Sequence, residues 1–353
     1  MESVYIDPKA VDFSLVKRAA ETLEREGTVI VPTETVYGIA GLAGNKKVEE
    51  KLYAIKKRPR NKPFSLALAG IEDAVYKYFA PLSPFGYRLI ENFCPGPLTI
   101  IYYDKKYENI GVRVPSHEVT RQILKELARP LYLPSANLSG AEDAAGVDEI
   151  ETEVKEAVDL VVDSGRCGYA KSSTIIDLTA SPFKILREGV VSQRDVVDVF
   201  VKKRIIFVCT GNSCRSPLAE FLLKKYISED EAYLKDRYEV VSAGLSALEG
   251  AEPAPEILEI LDKEGIDARS FRSSRLNNFD ILSSDFIITM EDFQSEYILR
   301  SEPTAEGRVF CLKKFLPPDL EKDIPDPIGK ELDYYRRVYN MIKSGVSELV
   351  EWL

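Results

Sequence analysis

KRIIFVCTGNSCRSPLAEFLLKKY, residues 203–226, decides the architecture of half of this chain. Ile205 to Cys209 is an uninterrupted apolar run of the length of a buried strand. Ser216 is a helix-capping residue type, Pro217 suits a first turn, and SPLAEFLLKKY (216–226) continues with helical spacing. Between strand and helix lies the short polar turn TGNSC. Such a turn aims successive backbone N–H groups inward at the positive end of the helix and forms a nest for an anion. Arg215 adds a planar fork matched to two phosphoryl oxygens. Cys209, at the strand end, sits in a positive surround that favours the nucleophilic thiolate. A cysteine six residues before an arginine is weak by itself; the strand before it and the helix after it give it weight.

Working outward, YEVVSAG, DFIITM (285–290) and RVFCL read as further strands, and PAPEILEILDKEG and LDYYRRVYNMIKSGVSELVEWL as helices. Regular alternation of strand and helix predicts a doubly wound, four-stranded parallel sheet over residues 204–353. Upstream, DVVDVFVKK (195–203) reads as a linker, either a brief helix or an extended hinge. Residues 1–194 then form a separate unit, as a chain of 353 residues suggests. Its apolar runs TVIVP, LTIIYY (98–103), IGVRVP (110–115), LYLPSA (131–136), LVVDSG (160–165) and STIIDL (173–178) read as strands. VEEKLYAIKKR, VTRQILKELA and IETEVKEAV have helical spacing. Strands and helices do not alternate strictly, which predicts a twisted, mixed α/β sheet.

Composition narrows the chemistry. The formal net charge of −10 argues against a broad nucleic-acid-binding face. Five cysteines, an odd number in a long chain, suggest reduced thiols. No stretch approaches the ~18 apolar residues of a membrane span, and MESVYIDPKA lacks a signal-peptide pattern, so a cytoplasmic location is expected. The single histidine, His117, excludes multi-histidine metal sites and leaves acid–base work to other side chains.

The thiolate at Cys209 needs an acid for its leaving group, and DIPDPIGK offers Asp326 ahead of Pro327. CTGNSCRSP followed by this late Asp-Pro resembles the low-molecular-weight protein tyrosine phosphatase family across residues 203–353. The resemblance makes Cys209 the nucleophile, Arg215 the transition-state clamp and Asp326 the general acid, with no cofactor. Thr210, Gly211, Asn212, Ser213, Cys214 and Ser216 would shape the loop. Tyrosine-specific members tend to carry a bulky aliphatic residue where this chain has Ser213, and aromatics after Asp-Pro, where it has Ile328. A small hydroxyl residue is closer to the protein-arginine-phosphatase branch, which splits a P–N bond; a hydroxyl can pair with a guanidinium that an alkyl group would leave unpaired. Phosphoarginine is thus expected ahead of phosphotyrosine. Arsenate reduction would need resolving cysteines, which Cys214 and Cys311 do not obviously supply.

In residues 1–194 the polar residues gather at strand ends. PTETVYG follows the TVIVP run; IKKRPRNKPF sets Lys56, Lys57, Arg58, Arg60 and Lys62 within seven positions, and Pro59 and Pro63 favour a fixed loop over a solvated helix face. GVRVP puts Arg113 at a strand end, where a buried guanidinium needs an anion. PSANLSG, SSTIID and ILREG add Ser135, Asn137, Ser139, Ser173, Thr174 and Arg187. These five motifs in this order resemble the YrdC/Sua5 family of threonylcarbamoyl-AMP synthases, over about residues 10–192. That resemblance implies condensation of L-threonine, bicarbonate and ATP, with Mg2+ on the phosphates and no metal site from protein alone. The product would serve tRNA t6A modification through a separate transferase complex. Carried over, Thr33, Arg113 and Ser173 would face threonine, and Lys56, Arg58, Ser135, Asn137 and Arg187 would face ATP. Many longer members place a histidine shortly after the basic motif, where this chain has Ala67. Other members only bind nucleic acid, which leaves an RNA-binding module without synthase activity as the rival reading.

Overall fold

The computed structural model describes residues 2–229, 236–317 and 323–353. The chain divides into two compact units, residues 1–82 with 89–197, and residues 83–88 with 198–353.

The first unit is built on a mixed sheet of ten strands: β1 (Glu2–Tyr5), β2 (Val29–Val31), β3 (Gly38–Leu42), β4 (Leu66–Ala67), β5 (Leu98–Tyr103), β6 (Asn109–Arg113), β7 (Leu131–Tyr132), β8 (Leu160–Asp163), β9 (Thr174–Asp177) and β10 (Lys184–Arg187). Their order is β1-β8-β2-β3-β7-β4-β6-β5-β9-β10. Strand β2 shows why both faces are covered. Its side chains alternate, so Val29 and Val31 pack with Val16, Ala20 and Leu23 on one face, while Ile30 joins Tyr37, Val48 and Leu52 on the other. The helix Phe13–Glu24 supplies the first group, and its start is capped by Asp12, which accepts from Ser14 N at 2.8 Å.

Several expectations narrow. LYLPSA is a strand only at Leu131–Tyr132, IETEVKEAV a helix only at Thr152–Glu156, and the expected linker lies largely within a helix, Gln193–Val201. GIAGL, which carries two residues of poor strand propensity, is the fully buried β3. Its glycines serve close packing: a Cβ at Gly38 would lie 2.8 Å from Leu133, and one at Gly41 2.5 Å from Val48. At the centre of the sheet β4 and β7 are two residues long. Here the chain enters the sheet late, after the KPFS segment, and leaves it early, ahead of the PSAN segment, and a cleft forms.

The second unit carries β11 (Lys203–Cys209), β12 (Tyr238–Gly244), β13 (Phe286–Thr289) and β14 (Val309–Cys311), all parallel, in the order β12-β11-β13-β14. Ile205, Phe207 and Cys209 point into a core with Leu218, Leu222, Ile257, Val338 and Ile342. Ile206 and Val208 point the other way, onto Ile281 and Ile298. The sheet is therefore covered on both faces, as the apolar run of β11 implies. Because β11 lies between β12 and β13, its carboxyl end is the switch point where an open α/β sheet leaves room for a ligand.

Candidate active sites

The TGNSC turn leaves β11 and enters the helix Arg215–Glu229. Asn212 takes a left-handed conformation, φ 52°, which asparagine tolerates better than most residues. Its side chain accepts from Ser274 N at 2.8 Å and donates to Ser216 Oγ at 2.9 Å and Ser242 Oγ at 2.8 Å, which pins the turn from behind. Asn212 N reaches Cys209 Sγ at 3.2 Å and Ser216 Oγ lies 3.0 Å from the same sulfur, so two polar groups converge on the cysteine. Arg215 is 1% exposed. Its guanidinium donates to Ile324 O at 2.9 Å, to Asp326 Oδ2 at 2.5 Å and to Glu291 Oε2.

The loop thus brings Cys209, Asn212, Arg215 and Ser216 together, and Arg215 joins Asp326 to them. Glu291 and Gln294 were not singled out by the sequence. They form a helix-start capping pair, and Gln294 Nε2 donates to Glu291 Oε2 at 3.0 Å and to Thr210 Oγ1 at 3.3 Å. An E-x-x-Q spacing after the strand DFIIT was the available signal. Ser213 lies 3.7 Å from Cys214 Sγ and is partly exposed. Burial pushes the Cys214 thiol up to about 11, so Cys214 is held as a neutral thiol.

The cleft of the first unit is open to solvent and has a cavity volume of about 110 Å³. Thr33, Arg58, Arg113, Ser135, Ser173 and Arg187 all line it, with Thr99, Ser172 and Ala67. Arg187 donates from Nε to Ser173 O at 3.0 Å and from Nη2 to Ser173 Oγ at 3.2 Å, while Thr99 Oγ1 lies 3.0 Å from that hydroxyl. Burial holds the Arg187 guanidinium below its ordinary pKa; Asp143 opposes the shift, and the charges of Arg113 and Arg58 add to it. Cations gathered against their own repulsion mark an anion site. Arg58 is braced by Lys62 O at 2.8 Å and Pro63 O at 3.1 Å and lies 5.1 Å from the Phe64 ring centre. The loop holding it begins where Lys57, φ 48°, ends the helix Lys46–Lys56.

Lys56 and Asn137 stand behind this lining. Lys56 is 2% exposed and donates to Ser135 O at 2.5 Å, Asn137 O at 2.6 Å and Asn137 Oδ1 at 3.1 Å. Its ammonium ties the helix end to the PSAN segment. Arg113 is paired with Glu34 at 2.6 Å, a partner within the PTETVYG motif, from which the sequence singled out Thr33 alone.

A family model for Sua5/yciO/yrdC proteins, described as telomere recombination, matches residues 21–189, and that for low molecular weight phosphotyrosine protein phosphatase matches residues 204–353. Over 186 residues the chain is 38% identical to a putative threonylcarbamoyl-AMP synthase of Methanocaldococcus jannaschii, covering 50% of this chain and 87% of that one. The human threonylcarbamoyl-AMP synthase is 31% identical over 199 residues, covering 52% and 70% respectively. Among solved structures, the YwlE arginine phosphatase of Geobacillus stearothermophilus is 34% identical over 42% of this chain and 92% of that one, with a TM-score of 0.38. A structure of P. abyssi Sua5 shares the fold at 20% identity over 81% and 98%, with a TM-score of 0.52. The chain belongs to the Sua5/YrdC family through its first part and to the low molecular weight phosphatase family through its second. It is an enzyme with a synthase-type domain followed by a phosphatase domain. Among the described residues no helix is long and apolar enough to cross a membrane.

Proposed function

We propose that the first domain makes threonylcarbamoyl-AMP from L-threonine, bicarbonate and ATP, and that the second hydrolyses phosphoproteins through a phosphocysteine, with phosphoarginine preferred. The synthase reading is carried by the three guanidiniums of Arg58, Arg113 and Arg187 on one cleft, since a carboxylate, a carbamate and a triphosphate are all anionic. Threonine nitrogen and bicarbonate form the carbamate with loss of water. A carbamate oxygen then attacks the α-phosphorus of ATP, and the bond to the β-phosphate breaks to release pyrophosphate. Arg113 would orient the amino-acid carboxylate, with Thr33 and Ser173 beside it, while Arg58, Arg187 and Ser135 would carry charge on the phosphates. Lys56 and Asn137 would hold the wall from behind. No carboxylate lines the cleft among the described residues, so Mg2+ would be held by the triphosphate oxygens. The product would pass to a separate transferase complex acting on tRNA.

In the phosphatase site the Cys209 thiolate forms an S–P bond as the P–N or P–O bond of the substrate breaks, and the leaving group takes a proton from Asp326. Water then attacks the phosphocysteine, giving its proton to Asp326, and inorganic phosphate leaves as the thiolate returns. Arg215 and the loop N–H groups carry the phosphoryl charge.

The test of the first domain is pyrophosphate release with ATP, bicarbonate and threonine, each omitted in turn; release that ignores threonine defeats the synthase reading and favours an RNA-binding module. For the second, a phosphoarginine protein is compared with a phosphotyrosine peptide. Faster turnover of the peptide makes the domain a tyrosine phosphatase.

A further inference from the structure

Arg113 lines the synthase cleft, and Glu34 does not. The two nevertheless form an ion pair at 2.6 Å, with side chains 12% and 10% exposed. The same Arg113 Nη2 also donates to Thr35 Oγ1 at 2.7 Å, so one guanidinium nitrogen is committed to two acceptors behind the cleft wall. Arg113 Nε is buried with no partner among the described residues. A buried guanidinium N–H without an acceptor is costly, and the cost is removed when an anionic oxygen arrives.

Glu34 is itself anchored. Its second oxygen, Oε2, accepts from Ser116 N at 2.9 Å and His117 N at 3.3 Å, the residues that follow Val114 and Pro115 after β6. Burial alone pushes the Glu34 carboxyl up, but Arg113 and the backbone donors pull it below the ordinary glutamate value, so it stays ionised. A carboxylate held by an arginine and two backbone N–H groups has little freedom to swing aside. It is a brace rather than a stand-in for a substrate carboxylate.

We propose that Glu34 is a positioning residue for threonine: by fixing Nη2 of Arg113 from behind, it presents the remaining donors of that guanidinium to the amino-acid carboxylate. The inference rests on the threonine-binding reading of this cleft. It assigns Glu34 no contact with ATP, because Arg58 is braced separately by the Lys62 and Pro63 carbonyls and Arg187 by Ser173. The brace therefore acts on one substrate and not on the other.

Glu34→Gln in the full chain keeps the size of the side chain but removes the charge that orients Arg113. The Michaelis constant for threonine is expected to rise about 10- to 100-fold, the range for a charge-assisted hydrogen bond, with the value for ATP changed less than about threefold and turnover at saturating threonine retained. Titration calorimetry with L-threonine should show the same loss of affinity. Equal weakening of both substrates marks a merely structural role and overturns the inference, as does unchanged or tighter threonine binding. If Glu34→Gln fails to fold, Thr35→Val removes the other acceptor of Nη2 and should raise the threonine value about 3- to 10-fold with ATP unaffected; no selective rise overturns the inference. A wild-type protein without threonine-dependent pyrophosphate release overturns the synthase reading and this inference together. A threonine-dependent wild type with an unaltered Gln variant overturns this inference alone.

Discussion

Arg215 donates from Nη2 to Asp326 Oδ2 at 2.5 Å, so the clamp of the phosphate loop is closed on the carboxylate assigned as the acid. Arg215 is buried to 1%, whereas the Asp326 side chain is 43% exposed and otherwise held by Ile328 N at 3.1 Å. The arginine is the fixed partner and the aspartate the movable one. A phosphoryl group entering the loop must take over the guanidinium donors, and that exchange frees Asp326 for the leaving group. Asp326→Asn should therefore do two opposite things. Turnover falls about 100-fold or more, the usual range for a lost general acid, while inorganic phosphate, measured as a competitive inhibitor, binds about 3- to 10-fold more tightly because a competing charge is gone. Weaker phosphate inhibition in the variant would show that Asp326 supports the anion site instead of competing for it.

Ser213 tests the substrate preference. It is partly exposed, its carbonyl accepts from Ala254 N at 3.0 Å, and among the described residues its hydroxyl has the weak contact with the Cys214 sulfur at 3.7 Å, which a ligand can displace. Ser213→Ile keeps the backbone contact and removes the hydroxyl. Phosphoarginine turnover should fall at least about tenfold relative to phosphotyrosine, the expected result when a hydrogen-bonding site loses its group. An unchanged ratio in a side-by-side assay would show that the hydroxyl serves only the loop.

The phosphate loop was legible because its signals are local: an apolar run, a turn and a helix start within one short stretch. The brace around it was not. Glu291 and Gln294 lie far along the chain from Arg215, and nothing in TMEDFQ says that its carboxylate will reach back to that guanidinium. The same held for the synthase cleft. Its motifs name Arg58, Arg113 and Arg187, but spacing alone does not separate a residue that faces the cleft from one behind it. Lys56 and Arg58 are two positions apart in one basic run; one is buried in carbonyl contacts and the other lines the cavity. Strand signals failed where tertiary packing overrode propensity: the glycine-bearing β3 carries no strand pattern, LYLPSA keeps only the two residues of β7, and the two-residue β4 exists only because neighbours pair with it.

Arg187 carries a functional cost in stability. Burial and the charges of Arg113 and Arg58 hold it below its ordinary pKa, and among the described residues Ser173 is the one hydrogen-bond partner that compensates. Arg187→Met removes one of the three like charges while keeping an unbranched chain of similar reach. The Michaelis constant for ATP should rise at least about tenfold, while the melting temperature stays within a few degrees of wild type because relief of repulsion offsets the two lost hydrogen bonds. A large drop in melting temperature with ATP kinetics unchanged would make Arg187 a structural residue.

Lys56 gives the pH-dependent test. Burial, reinforced by the Arg58 charge, pushes its ammonium down to about 8 from an ordinary 10.5, so it is still charged at neutral pH. The sign follows from proton counting. Between about pH 8 and 10.5 the unfolded chain holds this proton and the folded chain has released it, so this group makes stability rise with pH across that window. Below pH 8 both states hold the proton and its contribution is flat. Lys56→Met removes the proton and also leaves the Ser135 and Asn137 carbonyls without their donor. At pH 7 the variant should lose about 1 to 3 kcal/mol for those buried acceptors and show a raised Michaelis constant for ATP as the PSAN segment loosens. In paired denaturant titrations from pH 7 to 10, the wild type should gain stability relative to the variant once the pH passes 8. A constant difference across the range would mean that Lys56 keeps its ordinary titration in the fold, and that its contacts with the PSAN segment do not desolvate it.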